Sequence, residues 1–423
     1  MRYTHAQAVR RLTTLAVFAL IFAPRVAVSL SLQQAEQLAL EADPVIDGHR
    51  ASSRSYQARA IADGTMPDPK LRLGMFNVPL DSFSTTEDPS TQLRVGIQQE
   101  FPKGRTTVLK QQQTSWLSQA AAANAEDAQL KLIMDVRETY LNLYYQTKAA
   151  SIIDETRLLF SKLVSITEDQ YAAGRANQQD VIRADLELSR LDDRATKIQS
   201  HEDEYRAMLA QWIGQEAWND IDRDLPMLPS VPDTDDINRL LTQHPSVVAE
   251  TAKVEASKKL IEVSRQDYKP GVGAFVEYRK RFGDNIDGSD RADMMAAMVT
   301  VDIPLFTENR QDKKVVAHEE SANAARYSRD DRLRVLKRML EKDRAIYKRL
   351  GERELLYKNK LVNSAANNAK ASLNAYQSGV TEFTTLMRAG ITELDVRLEN
   401  LRIKVDRLRA QARLLYITGD PAL

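Results

Sequence analysis

The residue types that most often carry chemistry are sparse in this 423-residue chain, and their spacing assembles no reactive set. Cysteine is absent, which excludes a disulfide framework, a thiolate metal site and a cysteine nucleophile. The five histidines, at 5, 49, 201, 244 and 318, are scattered, and no triad, paired catalytic carboxylates or metal-ligand cluster emerges. The stretch "DNIDGSD" at 284–290 has the oxygens of a calcium loop but not its D-x-[DN]-x-[DN]-G-x5-E spacing, so it reads as a solvated loop. "GVGAF" at 271–275 opens a strand rather than a helix, which removes the context a phosphate-binding glycine loop needs. The expectation is a protein without cofactor or enzymatic chemistry.

What remains is architecture. The chain has 28% charged residues and only 15 glycines and 14 prolines, a composition of long helices rather than of loops. At the N-terminus, Arg2, Arg10 and Arg11 precede the apolar run "LTTLAVFALIFA" and the small residues "AVS", the pattern of a secretory signal over 1–29. That run is too short for a membrane-spanning helix. Its removal takes four arginines (2, 10, 11 and 25) from 59 basic residues and none from the 59 acids, leaving 55 against 59. A mildly acidic chain argues against nucleic acid as partner, and without cysteine no lipid can be attached there.

The chain is written twice. "DPVIDGHRA" from Asp43 answers "HPSVVAETA" from His244, and "LRVGIQQEFPKG" from Leu93 answers "MAAMVTVDIPLF" from Met295. Landmarks keep their spacing: Gly174 to Gly214 and Gly379 to Gly419 are equally far apart, and both copies contain Tyr-x-x-Gly, in "QYAAGRANQQD" and "AYQSGVTEFTT". The expected organisation is a signal at 1–29, repeats at 30–214 and 237–419, a linker at 215–236 and a tail at 420–423.

No proline lies between Pro102 and Pro226, or between Pro304 and Pro421. Since an interior proline costs a helix about 3 kcal/mol, these gaps are predicted to be mostly helix. Met387, Ile391, Leu394, Leu398, Leu401, Val405, Leu408, Ala412 and Leu415 step by four and three, and Val181 to Ile198 do the same, a narrow coiled-coil stripe. Gly174 and Gly379 then turn each run into an antiparallel hairpin. Ahead of each hairpin, "LRLGMF", "LRVGIQ", "VGAFVEY" and "MAAMVTVDI" alternate with period two. One face collects Leu71, Leu73, Val95, Ile97, Val276 and Val299; the other collects Arg72, Arg94, Glu277, Arg279 and Asp302. The helices have little apolar surface left to cover such a sheet, so lipid is the remaining cover. Four strands cannot close a barrel; three chains supply twelve.

The duplicated strand-loop-strand plus hairpin, the strand-ending "EFPKGRT" and "IPLFTENR", and the two Tyr-x-x-Gly segments together resemble the TolC-type outer-membrane efflux protein family over essentially the whole mature chain. "MPDPKLRLGMFNVPLDSF" and "QEFPKG" are most similar to its heavy-metal or cation branch. The resemblance implies a mainly α fold with a membrane β-barrel: a homotrimer whose twelve-stranded barrel sits in outer-membrane lipid and continues as a periplasmic helical tunnel. It implies the exit duct of a tripartite pump, with a periplasmic adaptor and an inner-membrane transporter of the RND or another type. The rival reading is a periplasmic coiled-coil structural or adaptor protein, which should carry a lipoyl-like domain between its hairpin arms.

By the same resemblance, Tyr171, Gly174, Arg175, Tyr376, Gly379 and Glu382 belong to periplasmic tip turns. Some members carry acids six and nine residues after the second glycine; here those positions are Thr385 and Arg388, and the departure leaves Arg388 either to favour anions or to pair with an acid on a neighbouring helix. The first repeat has Asp180 and Arg183 at those offsets, making a three-fold ring of Asp180 a candidate aperture, against the plainer reading of an acid in a helix's first turn. Arg72, Arg94, Glu277, Arg279 and Asp302 are the candidate barrel lumen. Met66, Met75, Met294, Met295 and Met298 have the softness that suits Cu(I), but packing or lipid contact accounts for them better.

Overall fold

The computed structural model describes residues 29–41, 43–232 and 237–419. All of the expected signal but Ser29, the last four residues of the expected linker and the expected tail lie outside the described residues.

The duplication is visible element by element. The first copy runs α1 (Leu32–Glu41), α2 (Pro44–Gly64), β1 (Lys70–Phe76), β2 (Gln92–Phe101), α3 (Thr106–Ala172) and α4 (Gln178–Ile213). The second runs α5 (Ile237–Gln243), α6 (Pro245–Gln266), β3 (Gly271–Arg281), β4 (Met294–Asp302), α7 (Gln311–Leu356), α8 (Val362–Gln377) and α9 (Phe383–Thr418). A single π turn at Tyr357–Leu361 joins α7 to α8, so the run 311–377 matches the 67 residues of α3. α4 and α9 have 36 residues each and end at glycines of positive φ, Gly214 and Gly419.

Local chemistry accounts for several boundaries. Pro44 and Pro245 stand at the first positions of α2 and α6, where a missing N–H costs nothing. Ser31 and Gln34 form a reciprocal cap at the start of α1: the Gln34 amide donates to Ser31 Oγ at 3.2 Å and the Ser31 amide to Gln34 Oε1 at 2.9 Å. His244 caps α6 by accepting from the Ser246 amide.

The described residues fall into two compact units. One, comprising 29–41, 43, 130–232 and 340–419, holds the helical hairpins. Its core joins Ile153, Phe160 and Leu163 of α3 to Ala184 and Leu191 of α4 and to Phe383, Leu386, Met387 and Leu394 of α9. The heptad stripe of α9 therefore packs on the other hairpin as well as on its own arm, a bundle seam with coiled-coil spacing. Exposed interhelical ion pairs line this bundle, among them Arg194–Asp395 at 2.8 Å and Arg397–Glu155 at 2.6 Å. A buried one lies deeper: Arg413 of α9 donates to Asp343 of α7 at 2.8 Å and to Glu138 of α3, and Asp343 is fully buried.

The other unit, 44–129 and 237–339, holds α2, α5, α6, the first parts of α3 and α7, and the sheet. Ser53 and Ser118 exchange hydrogen bonds between α2 and α3, and Arg332 donates to Ser246 at 2.7 Å between α7 and α6. The four strands are antiparallel in the order β1-β2-β3-β4. Their register places Leu71, Ile97, Val276 and Ala297 in one row and Leu73, Val95, Tyr278 and Met295 in the next. The alternating apolar residues of all four strands thus share one face, with Ile303 one residue past the end of β4, while Phe76, Phe275, Met294 and Met298 lie on the other. That face is uncovered: Leu73 and Val299 are each 67% exposed. Among the described residues no helix is long and apolar enough to cross a membrane.

Candidate functional site

Two polar surfaces are candidates, one on the sheet and one at the hairpin turns. On the sheet, the register groups every residue expected to line a lumen. Arg72, Gly96, Glu277 and Ala296 form one row; Gly74, Arg94, Arg279 and Met294 form the next toward the loops; Phe76, Gln92 and Arg281 form a third. Arg94 and Arg279 stand directly opposite each other, an arrangement that is repulsive by itself. Glu277 resolves it. Its carboxylate accepts from Arg279 Nε at 2.6 Å and lies 4.0 Å from Arg94 Nε, with a side chain only 8% exposed. Among the described residues Arg94 Nε has no hydrogen-bond partner of its own; its guanidinium stacks 3.9 Å from the Phe76 ring centre, and Arg72 lies 5.5 Å from that of Phe275. Phe275 can lie over the sheet because position 96 is glycine: a Cβ there would come within 2.7 Å of the ring.

At the helical end of the same face, Lys70 pairs with Glu100 at 2.7 Å, and Asp302 stands opposite Gly271. Phe76, Phe275, Gly96 and Arg281 were not singled out from sequence. Strand parity held the signal, because each shares the even or odd count of the arginines on its own strand.

The loops beyond the sheet are held by their own acids. Ser289 donates through its side chain and its amide to Asp287, which keeps that carboxyl below the ordinary range. The Ser90 amide and hydroxyl do the same for Asp88. These carboxylates are spent on turns, and among the described residues no group of three or more His, Cys, Asp or Glu could hold a metal ion.

At the hairpin turns, both glycines have left-handed backbones, Gly174 at φ 71° and Gly379 at φ 69°. The Arg175 amide reaches back to the Gln170 carbonyl at 2.8 Å and the Val380 amide to that of Ala375 at 2.9 Å, so both helices end in the same glycine cap. The copies differ in their tyrosines: Tyr171 is 47% exposed, whereas Tyr376 donates to Gln170 Oε1 at 2.9 Å and meets the Phe383 ring edge-on. The two turns are thereby tied together. Asn177 and Glu382 precede α4 and α9 as extended residues, placing Asp180 and Thr385 equivalently in the first turn. Asp180 and Arg183 are half-buried, while Thr385 and Arg388 are exposed. Among the described residues of one chain no acid pairs with Arg388. Only turn residues separate the arms of each hairpin, at 173–177 and 378–382, so the lipoyl-like domain that an adaptor needs is not there.

These features define a fold class: one unit with a four-stranded sheet apolar on one face and arginine-rich on the other, and one unit of paired helical hairpins. Residues 237–420, the second repeat, match the family described as Outer membrane efflux protein. Among solved structures the chain is similar to the outer-membrane channel OprN, with 19% identity, TM-score 0.78 and coverage of 92% of this chain and 89% of that one. It is similar also to CusC, with 14% identity, TM-score 0.80 and coverage of 93% and 92%. The outer membrane protein VceC from Vibrio cholerae gives 17% identity, TM-score 0.77 and coverage of 92% and 96%. No curated protein sequence matches. The family match covers the second repeat, and the first repeat supplies the same elements in the same order. With these solved structures the chain shares its fold.

Proposed function

We propose that the chain is the exit duct of a tripartite efflux system, working as a homotrimer with a periplasmic adaptor and an inner-membrane pump. The observation that carries this is the sheet. Its apolar face is bare and its outer strands β1 and β4 each have one unpaired edge, which in lipid is tolerated only in a closed barrel. Joining β4 of one copy to β1 of the next removes every edge, and three copies give about twelve strands. The polar face then lines water. The tip turns at Gly174 and Gly379 are the docking ends, with Arg175 and Glu382 as specificity contacts, and Asp180, Arg183, Thr385 and Arg388 surround the aperture. Residues 1–29 are removed as a signal, leaving two repeats joined by 215–236.

A metal-cation cargo is the narrower reading, suggested by sequence likeness to the heavy-metal branch. The side chains described above do not favour it: there is no cation-binding cluster among the described residues, and the sheet's polar face is basic.

Because the chain has no cysteine, the trimer can be tested cleanly. Cysteines introduced in pairs, one on β1 and one on β4, should cross-link outer-membrane protein into a ladder ending at three copies, and the band should collapse on boiling only without cross-linking. A soluble periplasmic monomer with no cross-linked ladder overturns the proposal.

A further inference from the structure

The charges on the polar face of the sheet are not evenly distributed along it. The two rows nearest the helices contain Asp302 and Glu100, and Lys70 in the row beyond compensates Glu100. The three rows toward the loops contain Arg72, Arg94, Arg279 and Arg281 against the single acid Glu277. That acid is shared by two arginines and is buried beneath them, so it neutralises one charge and offers no carboxylate to a passing ion. Arg72 is exposed and, among the described residues, has no carboxylate partner. Two phenylalanine rings lie among the guanidiniums, each under an arginine.

We infer that the loop end of the barrel is a selectivity filter for anions, passing anionic amphiphilic solutes in preference to free metal cations. This rests on the duct reading, since the face must line the pore. A trimer brings twelve arginines and three glutamates into three successive rows of one narrow water-filled barrel. Low-dielectric walls focus such a field and raise the local concentration of the opposite charge. Guanidinium groups recognise carboxylate, sulfonate and phosphate alike through paired N–H donors, and the flanking rings add apolar contact for the body of the same solute. The acids of the loops, Asp81, Glu87, Asp88, Asp284, Asp287, Asp290 and Asp293, lie outside these rows; Asp88 and Asp287 accept from serines of their own turns and Asp293 from Lys280, and charges more than roughly 8–10 Å from the rows are screened at physiological salt.

The test is a reversal-potential measurement on the full-length trimer in planar bilayers under a KCl gradient, with Arg72→Gln, Arg94→Gln/Arg279→Gln and Asp180→Asn. Arg72→Gln leads because it removes a charge without stranding Glu277. The wild type should reverse on the chloride side. A unit charge about 10 Å from the axis in about 0.1 M salt changes ion occupancy only slightly, but three charges acting oppositely on anion and cation change the permeability ratio by about fourfold or more. Arg72→Gln should shift the ratio toward potassium by that amount, and naphthalene-2-sulfonate added from the loop side should reduce the current of the wild type more than that of the variant. Reversal on the potassium side in the wild type overturns the inference, as does a shift in Asp180→Asn with none in Arg72→Gln. Absence of any conductance from protein shown to be trimeric in the bilayer fails the duct reading itself, a separate outcome.

Discussion

Gly379→Ala isolates one term of the hairpin's stability. The position has φ 69°, and a Cβ built there meets no atom within 4 Å. No clash contributes, so the cost is that of holding an L-residue in the left-handed region, about 1–2 kcal/mol. Alanine also narrows the unfolded chain, which returns about 0.4–1 kcal/mol. At mid-range values the net loss is about 0.8 kcal/mol, or about a fourfold rise in local opening, at roughly a factor of ten per 1.4 kcal/mol. Amide hydrogen exchange of residues 374–386 in the solubilised protein reads it directly, because exchange follows local opening. Gly379→Asn should cost less, since asparagine visits this region more readily. Gly48→Ala supplies the contrast: that site is equally empty but lies within α2 without a positive φ, so the same substitution should slow exchange there. Equal signs at the two sites, or no change at Gly379, would refute the backbone argument.

Two further perturbations address the packing and the membrane face. Arg413→Met leaves Asp343 fully buried beside an uncharged side chain and should lower stability by about 3–5 kcal/mol, read as a fall in thermal midpoint; adding Asp343→Leu should recover most of it, because the uncompensated charge is the cost. Val299→Lys places a charge on the exposed apolar face and should cost roughly 2–4 kcal/mol if it lies near the bilayer midplane, seen as lost heat-modifiable trimer in the outer membrane, whereas Thr300→Lys on the opposite face should be tolerated.

The sequence was most legible where a physical rule acts along the chain. Proline exclusion located α3 and the α7–α8 run, because one misplaced ring disrupts a helix anywhere in its interior. Period-two alternation located all four strands and their facing, because a one-residue slip would turn every apolar side chain the wrong way. What stayed hidden depends on side chains distant in sequence. The π turn at Tyr357–Leu361 has no composition of its own. Tyr376 and Tyr171 occupy equivalent places in the repeat, yet only Tyr376 reaches Gln170, across 206 positions of sequence. The packing of Phe275 over Gly96 likewise needs two strands from different repeats.

Duplication also explains why the copies are free to differ in charge while agreeing in shape. The paired caps at Gly174 and Gly379, and the matched lengths of α4 and α9, are backbone requirements that bind both copies equally. Asp180 and Thr385 meet the same backbone requirement as first-turn residues, so nothing in the hairpin forces them to match. In the trimer proposed above, a charge present in one repeat only recurs at every second hairpin, giving three acids where a fully symmetric ring would carry six. The sheet behaves differently. Arg94 comes from the first repeat, Arg279 from the second, and Glu277 reconciles them across a strand pair that exists only because both repeats contribute to one sheet. Charge at the turns is thus a property of each repeat, whereas charge in the sheet is a property of their junction. In the duct proposed above, substitutions at Arg72 and at Asp180 should therefore report separately on the sheet and on the hairpin turns.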